Sequence, residues 1–349
     1  MGLLLFAIAL VTTSCDVHEW PEPTTGARLN LHLVYDYTFT IWEHPYNERS
    51  LSEYENIMPE GIVQYVVRLF PLSENGEPTQ EYSHEYVFTK PIEGGYDLST
   101  SIDVAPGNYQ IMVWSQLFAH DKAITFYDYT YFHEVRLENH EANNDYRDAF
   151  RGKENVTVEP SYMVQSPIDV EIAMQRPLAK FEFITTDLSE FITKEVYRNQ
   201  ISLRAFQDNA YKSLQDYTIR FHYVGYMPDA FSIFTDRPVD SSTGVIFESS
   251  INKLTETEAS LGFDYVFTNG KESSVSIQIE VLDSKGEQIS LTEPIKVPTK
   301  RSYHTIIKGS FLMSTASGGI SINPEYEGDH NVILRDEEID EEVDGATIE

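Results

Sequence analysis

Apolar and polar residues alternate along many short segments of this chain, and this period of two limits the fold more than any other feature. In residues 29–37 every second residue is Leu or Tyr, and polar residues such as Asn30 and His32 lie between them. In residues 62–70 large apolar residues recur in the same way from Val63. In an extended strand, alternate side chains point to opposite faces, so both segments predict strands with one buried face.

Similar short segments follow along the chain, and residues rich in Gly, Pro, Asn and Asp separate them. The pattern predicts further strands at residues 85–89, 98–104, 109–114, 156–159, 168–173, 179–185, 218–224, 263–267, 275–282, 288–291, 295–297 and 304–312. Residues 38–61 read as a polar loop, and residues 187–198 as one helix with Asp187 as its N-cap. Short strands joined by turns, with helix as a minor component, predict an all-β fold of β-sandwiches.

The segment 138–152 is dense in Asn, Asp, Glu and Arg and separates two regions of similar strand pattern. We therefore expect an N-terminal β-sandwich at residues 29–150 and a C-terminal β-sandwich at 151–335. Residues 336–349 are strongly acidic and poor in large apolar residues, which predicts a solvated tail.

The chain contains a single cysteine, Cys15, and its position predicts an export signal. It follows nine consecutive apolar residues, 3–11, and then Thr12, Thr13 and Ser14. Nine residues suit the core of a signal peptide but fall short of the roughly 20 that a membrane-spanning helix needs. We interpret residues 1–14 as a lipoprotein signal peptide and Cys15 as the site of lipid attachment. The alternatives are a plain secretory signal, or an N-terminal strand with a free thiol.

Residues 15–28 then form a tether stiffened by Pro21 and Pro23. On this interpretation the protein is attached to the outer membrane by its lipid and is displayed on the cell surface. With one cysteine in the chain, no disulfide can form within it, so apolar burial has to stabilise the folded body.

The composition argues against several classes of function. A net charge of −31 disfavours nucleic acid as a partner, because phosphates would be repelled. The histidines match no metal-binding motif, and no nucleophile motif or phosphate-binding glycine loop is present, so we expect no cofactor, no metal and no enzyme activity. The oxygen-rich loop 139–148 follows no recognised calcium spacing and reads as a solvated loop.

Four stretches of the chain resemble the fimbrillin-related surface lipoproteins of the Bacteroidales, the FimA/FimB-like superfamily. They are Phe126-Tyr127-Asp128 with 146–152 (YRDAFRG), 176–181 (RPLAKF), 261–267 (LGFDYVF) and 297–312 (VPTKRSYHTIIKGSFL). The resemblance covers about residues 29–335. It implies two tandem sandwiches of transthyretin-like Greek-key topology behind a lipid-anchored N-terminus.

For function, the resemblance implies a fimbrial accessory or anchor-like subunit, or an adhesin, whose partners are fimbrial subunits and which works by pairing β-strands. The alternative is a monomeric surface lipoprotein that binds a host or dietary glycan or protein through its loops. Polymerising relatives lose a first strand by cleavage after an arginine, and here Arg49 follows the first strand. Cleavage there would detach the body from its lipid, so we expect an anchor to keep this strand.

Overall fold

The computed structural model describes residues 25–36, 38–44, 60–93, 95–119, 124–198 and 214–314, and these residues form an all-β protein. In this part of the chain the strands are, in chain order, β1 (Ala27–Tyr35), β2 (Thr40–His44), β3 (Ile62–Pro71), β4 (His84–Pro91), β5 (Leu98–Val104), β6 (Gly107–Phe118), β7 (Tyr127–Asp128), β8 (Val135–Leu137), β9 (Ala149–Val158), β10 (Ile168–Met174), β11 (Leu178–Thr185), β12 (Thr218–Tyr223), β13 (Tyr226–Ser232), β14 (Arg237–Thr243), β15 (Ile246–Ser249), β16 (Asn252–Lys253), β17 (Ala259–Phe267), β18 (Ser273–Leu282), β19 (Gln288–Leu291), β20 (Ile295–Thr299) and β21 (Tyr303–Gly309). Helix α1 spans Leu188–Arg198, and a 3-10 helix spans Asp145–Arg147.

The first sandwich packs a three-stranded sheet of order β10-β1-β5 against a four-stranded sheet of order β4-β3-β6-β9. Its core contains the alternate apolar residues of β1 predicted from the sequence, Leu29, Leu31 and Leu33, together with Val63 and its equivalents on β3. Gly152 on β9 permits this packing, because a Cβ there would lie 2.7 Å from Ile172 Cγ2 on β10. The buried apolar residues at every second position thus form the inner faces of the sandwich.

The second sandwich packs a sheet of order β16-β17-β11-β21-β2 against a sheet of order β15-β12-β18-β19, in which β20 also pairs with β18. Residues of both sheets share one core with Leu188 and Phe191 of helix α1. The Asp187 carboxylate, expected as the N-cap, accepts a hydrogen bond from the backbone N–H of Met313 at 2.9 Å. The helix is thereby held against the end of the last strand.

A third, smaller sheet of order β14-β13-β8-β7 bridges the two sandwiches. It covers the outer face of the first sandwich at Phe70 and Trp114 and also contacts Leu178 and Phe267 of the second. This explains why β3 and β6 are buried on both faces in their central parts, whereas the alternation in residues 62–70 predicted one buried face for β3.

The N-terminal segment contributes one strand to each sandwich. β1 is the middle strand of its sheet, parallel to β10 and antiparallel to β5. β2 is the last strand in the order of its sheet and runs parallel to β21. A parallel pair cannot be made by a hairpin, so both strands join partners that lie far along the chain.

The all-β class, helix α1 and the hairpin β18–β19 are confirmed. The prediction of a loop throughout residues 38–61 is wrong, because β2 lies inside it. The whole bridging sheet was missed, since its strands are short and two of them contain a proline, Pro228 or Pro238. β10 is the last strand in the chain that pairs within the first sandwich before β11 pairs within the second, whereas the sequence predicted the boundary at 150/151. The division into separately folding domains stays a prediction.

Substitution of Leu31 by Ala on the central strand β1 should destabilise the protein strongly. Its side chain is fully buried, and deletion of such a leucine costs about 2–5 kcal/mol in free energy of unfolding. Val34→Ala, on the exposed face of the same strand, should cost less than about 0.5 kcal/mol. Urea unfolding followed by circular dichroism measures both, and equal effects would contradict the assignment of the two faces.

Candidate strand-pairing surface

One side of the first sandwich ends in two free strand edges. β4 is the last strand of the four-stranded sheet and β5 the last strand of the three-stranded sheet, and the short connection 92–97 passes from one to the other. The Tyr86 hydroxyl on β4 donates to the backbone oxygen of Asp103 on β5 at 3.1 Å, so the two edges lie side by side. We call these two edges the open side.

On the opposite side of the sandwich the end strands β9 and β10 are joined to each other at one point. There β9 leads into β10, and Arg151 and Gln175 exchange two backbone hydrogen bonds of 2.9 Å. Within the part of the chain that the structure describes, no such bridge joins β4 to β5, so the open side presents two strand edges that are not paired to a further strand. An unpaired edge carries free N–H and C=O groups that can pair with a further strand.

β4 has the features of a long edge strand. It is eight residues long, and the outer face of its sheet exposes Glu85, Val87 and Thr89, with the Val87 side chain 51% exposed. Glu85 is held by Arg68 at 2.6 Å. Charged residues and Pro91 lie toward the ends of β4 and limit unwanted pairing there, whereas its centre, residues 86–89, is uncharged. The sequence predicted this strand but did not show that it lies at an edge; its polar residues at alternate positions were the available signal.

The N-terminal strands are a second place where strand pairing matters. β1 fills the groove between β10 and β5 with Leu29, Leu31, Leu33 and Tyr35, all buried. Without β1, both neighbours would lose a partner and the sandwich would lose one wall of its core. Arg49, proposed as a cleavage position, lies outside the described residues.

The stretches that carry the family resemblance gather at the junction between the sandwiches. Arg147 pairs with Asp264 and donates to the backbone oxygen of Tyr265 at 2.8 Å. Arg176 pairs with Asp148 at 2.7 Å, and its guanidinium carbon lies 3.9 Å from the centre of the Phe39 ring. Arg147 and Asp148 directly precede β9 of the first sandwich, and Asp264 lies on β17 of the second. Arg176 lies in the connection from β10 to β11, so both pairs lie where the two sandwiches meet.

A third ionic contact connects the bridging sheet to both sandwiches. Asp236, at the turn between β13 and β14 of the bridging sheet, accepts from Arg151 of β9 and from Arg301 of the turn before β21, each at 2.9 Å. Asp236 takes a left-handed conformation with φ 59°, which Asp tolerates better than most residues. One carboxylate thus links the first sandwich, the bridging sheet and the second sandwich.

Burial changes the acid–base properties of the junction. Burial would raise the pKa of Asp264, but Arg147 and His140 reverse this and hold the pKa below its ordinary value. Burial lowers the pKa of His304 although Glu182 lies 3.2 Å away. Burial also raises the pKa of Tyr265 well above its usual range. These groups stay in fixed protonation states near neutral pH, which suits a structural role.

The acidic loop considered for calcium has cationic partners within the protein. Asp145 binds the Lys180 ammonium at 2.8 Å, and Asp148 binds Arg176. Among the described residues, no group of three or more His, Cys, Asp or Glu side chains is placed to hold a metal ion. The loop residues therefore contribute to the junction.

A shallow polar groove lies on the second sandwich. It has a volume of about 550 Å³ and is lined by Asn143, Glu182, Glu248, Asn252 and Phe263, among others. Amide and carboxylate groups beside an aromatic ring are the groups with which proteins bind sugars.

Residues 23–347 match a family model described as "Family of unknown function (DUF6562)". The chain belongs to this family. No curated protein matches it. Cys15 and the acidic tail 336–349 lie outside the described residues, and within the described ranges no helix has the length and apolarity needed to cross a membrane.

Solved structures similar to this DUF6562 protein include a fimbrial anchor protein, a fimbrial assembly protein and a candidate adhesin, all at low sequence identity. The fimbrial anchor protein Mfa2 of Porphyromonas gingivalis is 10% identical, with 76% of this chain and 82% of that chain covered and a TM-score of 0.39. A fimbrial assembly protein of Parabacteroides distasonis is 12% identical, with 84% and 93% covered and a TM-score of 0.36. A candidate adhesin of Bacteroides ovatus is 11% identical, with 80% of each chain covered and a TM-score of 0.39.

Substitution of Arg176 by Met should destabilise the protein, because it leaves the Asp148 carboxylate buried without its main cation. Loss of one partner of a buried ion pair costs about 3–5 kcal/mol in free energy of unfolding. The double variant Arg176→Met, Asp148→Leu should recover much of this loss. Arg28→Met, which breaks an exposed pair with Asp103, is the matched control and should leave the urea midpoint unchanged. A double variant no more stable than Arg176→Met would contradict the pairing.

Proposed function

We propose that this protein is a non-enzymatic lipoprotein of the outer membrane, displayed on the cell surface, that acts as an anchor-like fimbrial accessory subunit or adhesin by pairing β-strands. The observation that carries the proposal is the open side of the first sandwich. It offers the eight-residue edge of β4 beside that of β5, whereas β9 and β10 on the opposite side are joined to each other at Arg151 and Gln175. A strand from a fimbrial subunit added there would satisfy the free backbone groups and cover Val87.

The placement of the N-terminal strands supports an anchor over a repeating stalk subunit. β1 and β2 lie between Cys15 and Arg49 in the sequence, and each belongs to a different sandwich. Cleavage after Arg49 would remove a strand from both sandwiches and separate the body from Cys15. In our proposal the mature protein keeps both strands, and the lipid on Cys15 fixes it to the membrane.

The second candidate is a monomeric surface lipoprotein that binds a glycan or a protein. The polar groove at Asn143, Asn252 and Phe263 favours a glycan as its ligand. One face of the Phe263 ring carries the Lys180 ammonium at 3.9 Å, so the other face is the one available to a sugar. Both candidates share the lipid anchor and differ in which surface binds the partner.

The mature protein should begin at a lipidated Cys15. Metabolic labelling with an alkynyl palmitate, followed by mass spectrometry of the N-terminal peptide from intact cells, should detect the lipid on wild type and not on Cys15→Ala. Equal labelling of both proteins, or a mature N-terminus at Ser50, would contradict the anchor.

Val87→Lys should weaken retention of surface filaments on cells that express the protein. The side chains of a strand added beside β4 would partly desolvate a lysine at position 87, and a cost of about 1.4 kcal/mol corresponds to a tenfold loss of affinity. Val34→Lys is the matched control, because Val34 is 44% exposed on a central strand and not at an edge. The ratio of cell-bound to shed filaments measures the effect.

Equal retention by the two lysine variants would reject strand addition at β4. The glycan-binding candidate would instead be supported if the purified protein bound glycans on an array and Asn252→Ala abolished this binding. Asn252 lies in the second sandwich, away from the open side, so the two functions can be lost separately.

A further inference from the structure

Three consecutive apolar side chains point into solvent in the connection between β9 and β10. Tyr162, Met163 and Val164 are 63%, 77% and 92% exposed. A run of large apolar residues exposed in this way costs hydration free energy and usually marks a contact surface. The proposed strand pairing does not use it.

The connection has an ordered shape that holds these side chains outward. The Ser161 hydroxyl oxygen accepts from the backbone N–H of Met163 at 3.1 Å, and the Gln165 side chain donates to the backbone oxygen of Glu159 at 2.6 Å. Pro160 and Pro167 fix the backbone at both ends. The backbone of this connection therefore loses little conformational entropy when it meets a partner.

The strand registers place this connection at the end of the first sandwich farthest along the strands from the junction. β9 starts at the junction with Ala149 and ends at Val158, opposite Gly107. β1 starts at the same end, where Ala27 faces Val104, and runs toward the junction. The backbone N–H of Thr25 donates to the oxygen of Ser161 at 3.2 Å, so the chain enters the body directly beside the three apolar residues.

The tether limits how far this end can lie from the membrane. Thr25 follows Cys15 by ten residues, and an extended chain spans at most about 3.6 Å per residue, or about 36 Å in all. This step rests on the proposed lipid anchor at Cys15. The end with Tyr162, Met163 and Val164 then faces the bilayer, and the second sandwich faces away.

We propose that Tyr162, Met163 and Val164 insert into the interfacial region of the bilayer that holds the Cys15 lipid and keep the body upright on the membrane. Met163 and Val164 supply apolar surface, and the Tyr162 ring suits the headgroup region because its hydroxyl can stay hydrated. The net charge of −31 gives no attraction to anionic headgroups, and nearby Arg28 is already paired with Asp103 at 2.9 Å. Apolar insertion is therefore the attractive contribution.

The test uses the mature chain, residues 15–349, with the single thiol of Cys15 coupled to a maleimide phospholipid in vesicles of phosphatidylcholine and phosphatidylethanolamine. This coupling replaces the natural lipid, so the outcome does not depend on whether Cys15 is lipidated in cells. Oxidation of Met163 by a water-soluble oxidant is followed by mass spectrometry. Compared with the same chain capped by a soluble maleimide, oxidation of Met163 should slow severalfold, at low and at high salt.

Two variants make the test specific. Tyr226→Met places a comparably exposed reference methionine on the bridging sheet, outside the first sandwich, and its oxidation should not change on vesicles. Tyr162→Ser with Val164→Ser keeps Met163 but removes the flanking apolar surface, so Met163 should again be oxidised at the rate seen in solution.

Each remaining outcome overturns the proposal. Unchanged oxidation of Met163 on vesicles would exclude insertion. Slowing at both Met163 and the Tyr226→Met position would show a body lying flat on the membrane. Protection of Met163 in the soluble, capped chain would show that a second copy of the protein covers this surface.

Discussion

The two sandwiches are held together by apolar surface that neither could bury alone. Phe70 and Trp114 point away from the core of the first sandwich, and Phe267 points out of the second. The bridging sheet covers all three with residues of β7, β8 and β13. If this shared core were absent, large aromatic faces of both sandwiches would be exposed to water, which is why the rest of the arrangement depends on it.

The ionic contacts at the junction determine how the two sandwiches are oriented on this shared apolar core. Arg147, Arg176 and Asp236 each have partners that come from different parts of the chain, and a buried charge without such a partner is costly. The sandwiches can therefore meet in one arrangement, because a shift between them would leave charges buried and unpaired. The stretches that resemble fimbrillin-related proteins encode this arrangement, and the surfaces available to partners lie elsewhere.

The N-terminal segment connects the fold with the proposed function. In the proposed function it follows the membrane tether; in the structure it enters β1 at one end of the first sandwich and reaches the second sandwich with β2. A pulling force on the anchor would act along β1, which is bonded to a neighbour on both sides. A strand in the middle of a sheet resists such a force better than one at an edge, because bonds to both neighbours have to break.

The sequence by itself determined the all-β class, the strands with clear alternation, helix α1 and the candidate anchor at Cys15. These depend on local period and on neighbouring residues, as with Leu29, Leu31 and Leu33 of β1. Tertiary structure alone decided that β2 is a strand, that β7, β8, β13 and β14 form a sheet, and that β4 lies at an edge. In the first two cases the deciding partner is distant in sequence: β2 takes its hydrogen bonds from β21, and the bridging sheet has its apolar contacts with both sandwiches. Local sequence carries no record of such partners, because hydrogen bonds between strands are made by backbone groups that every residue except proline possesses.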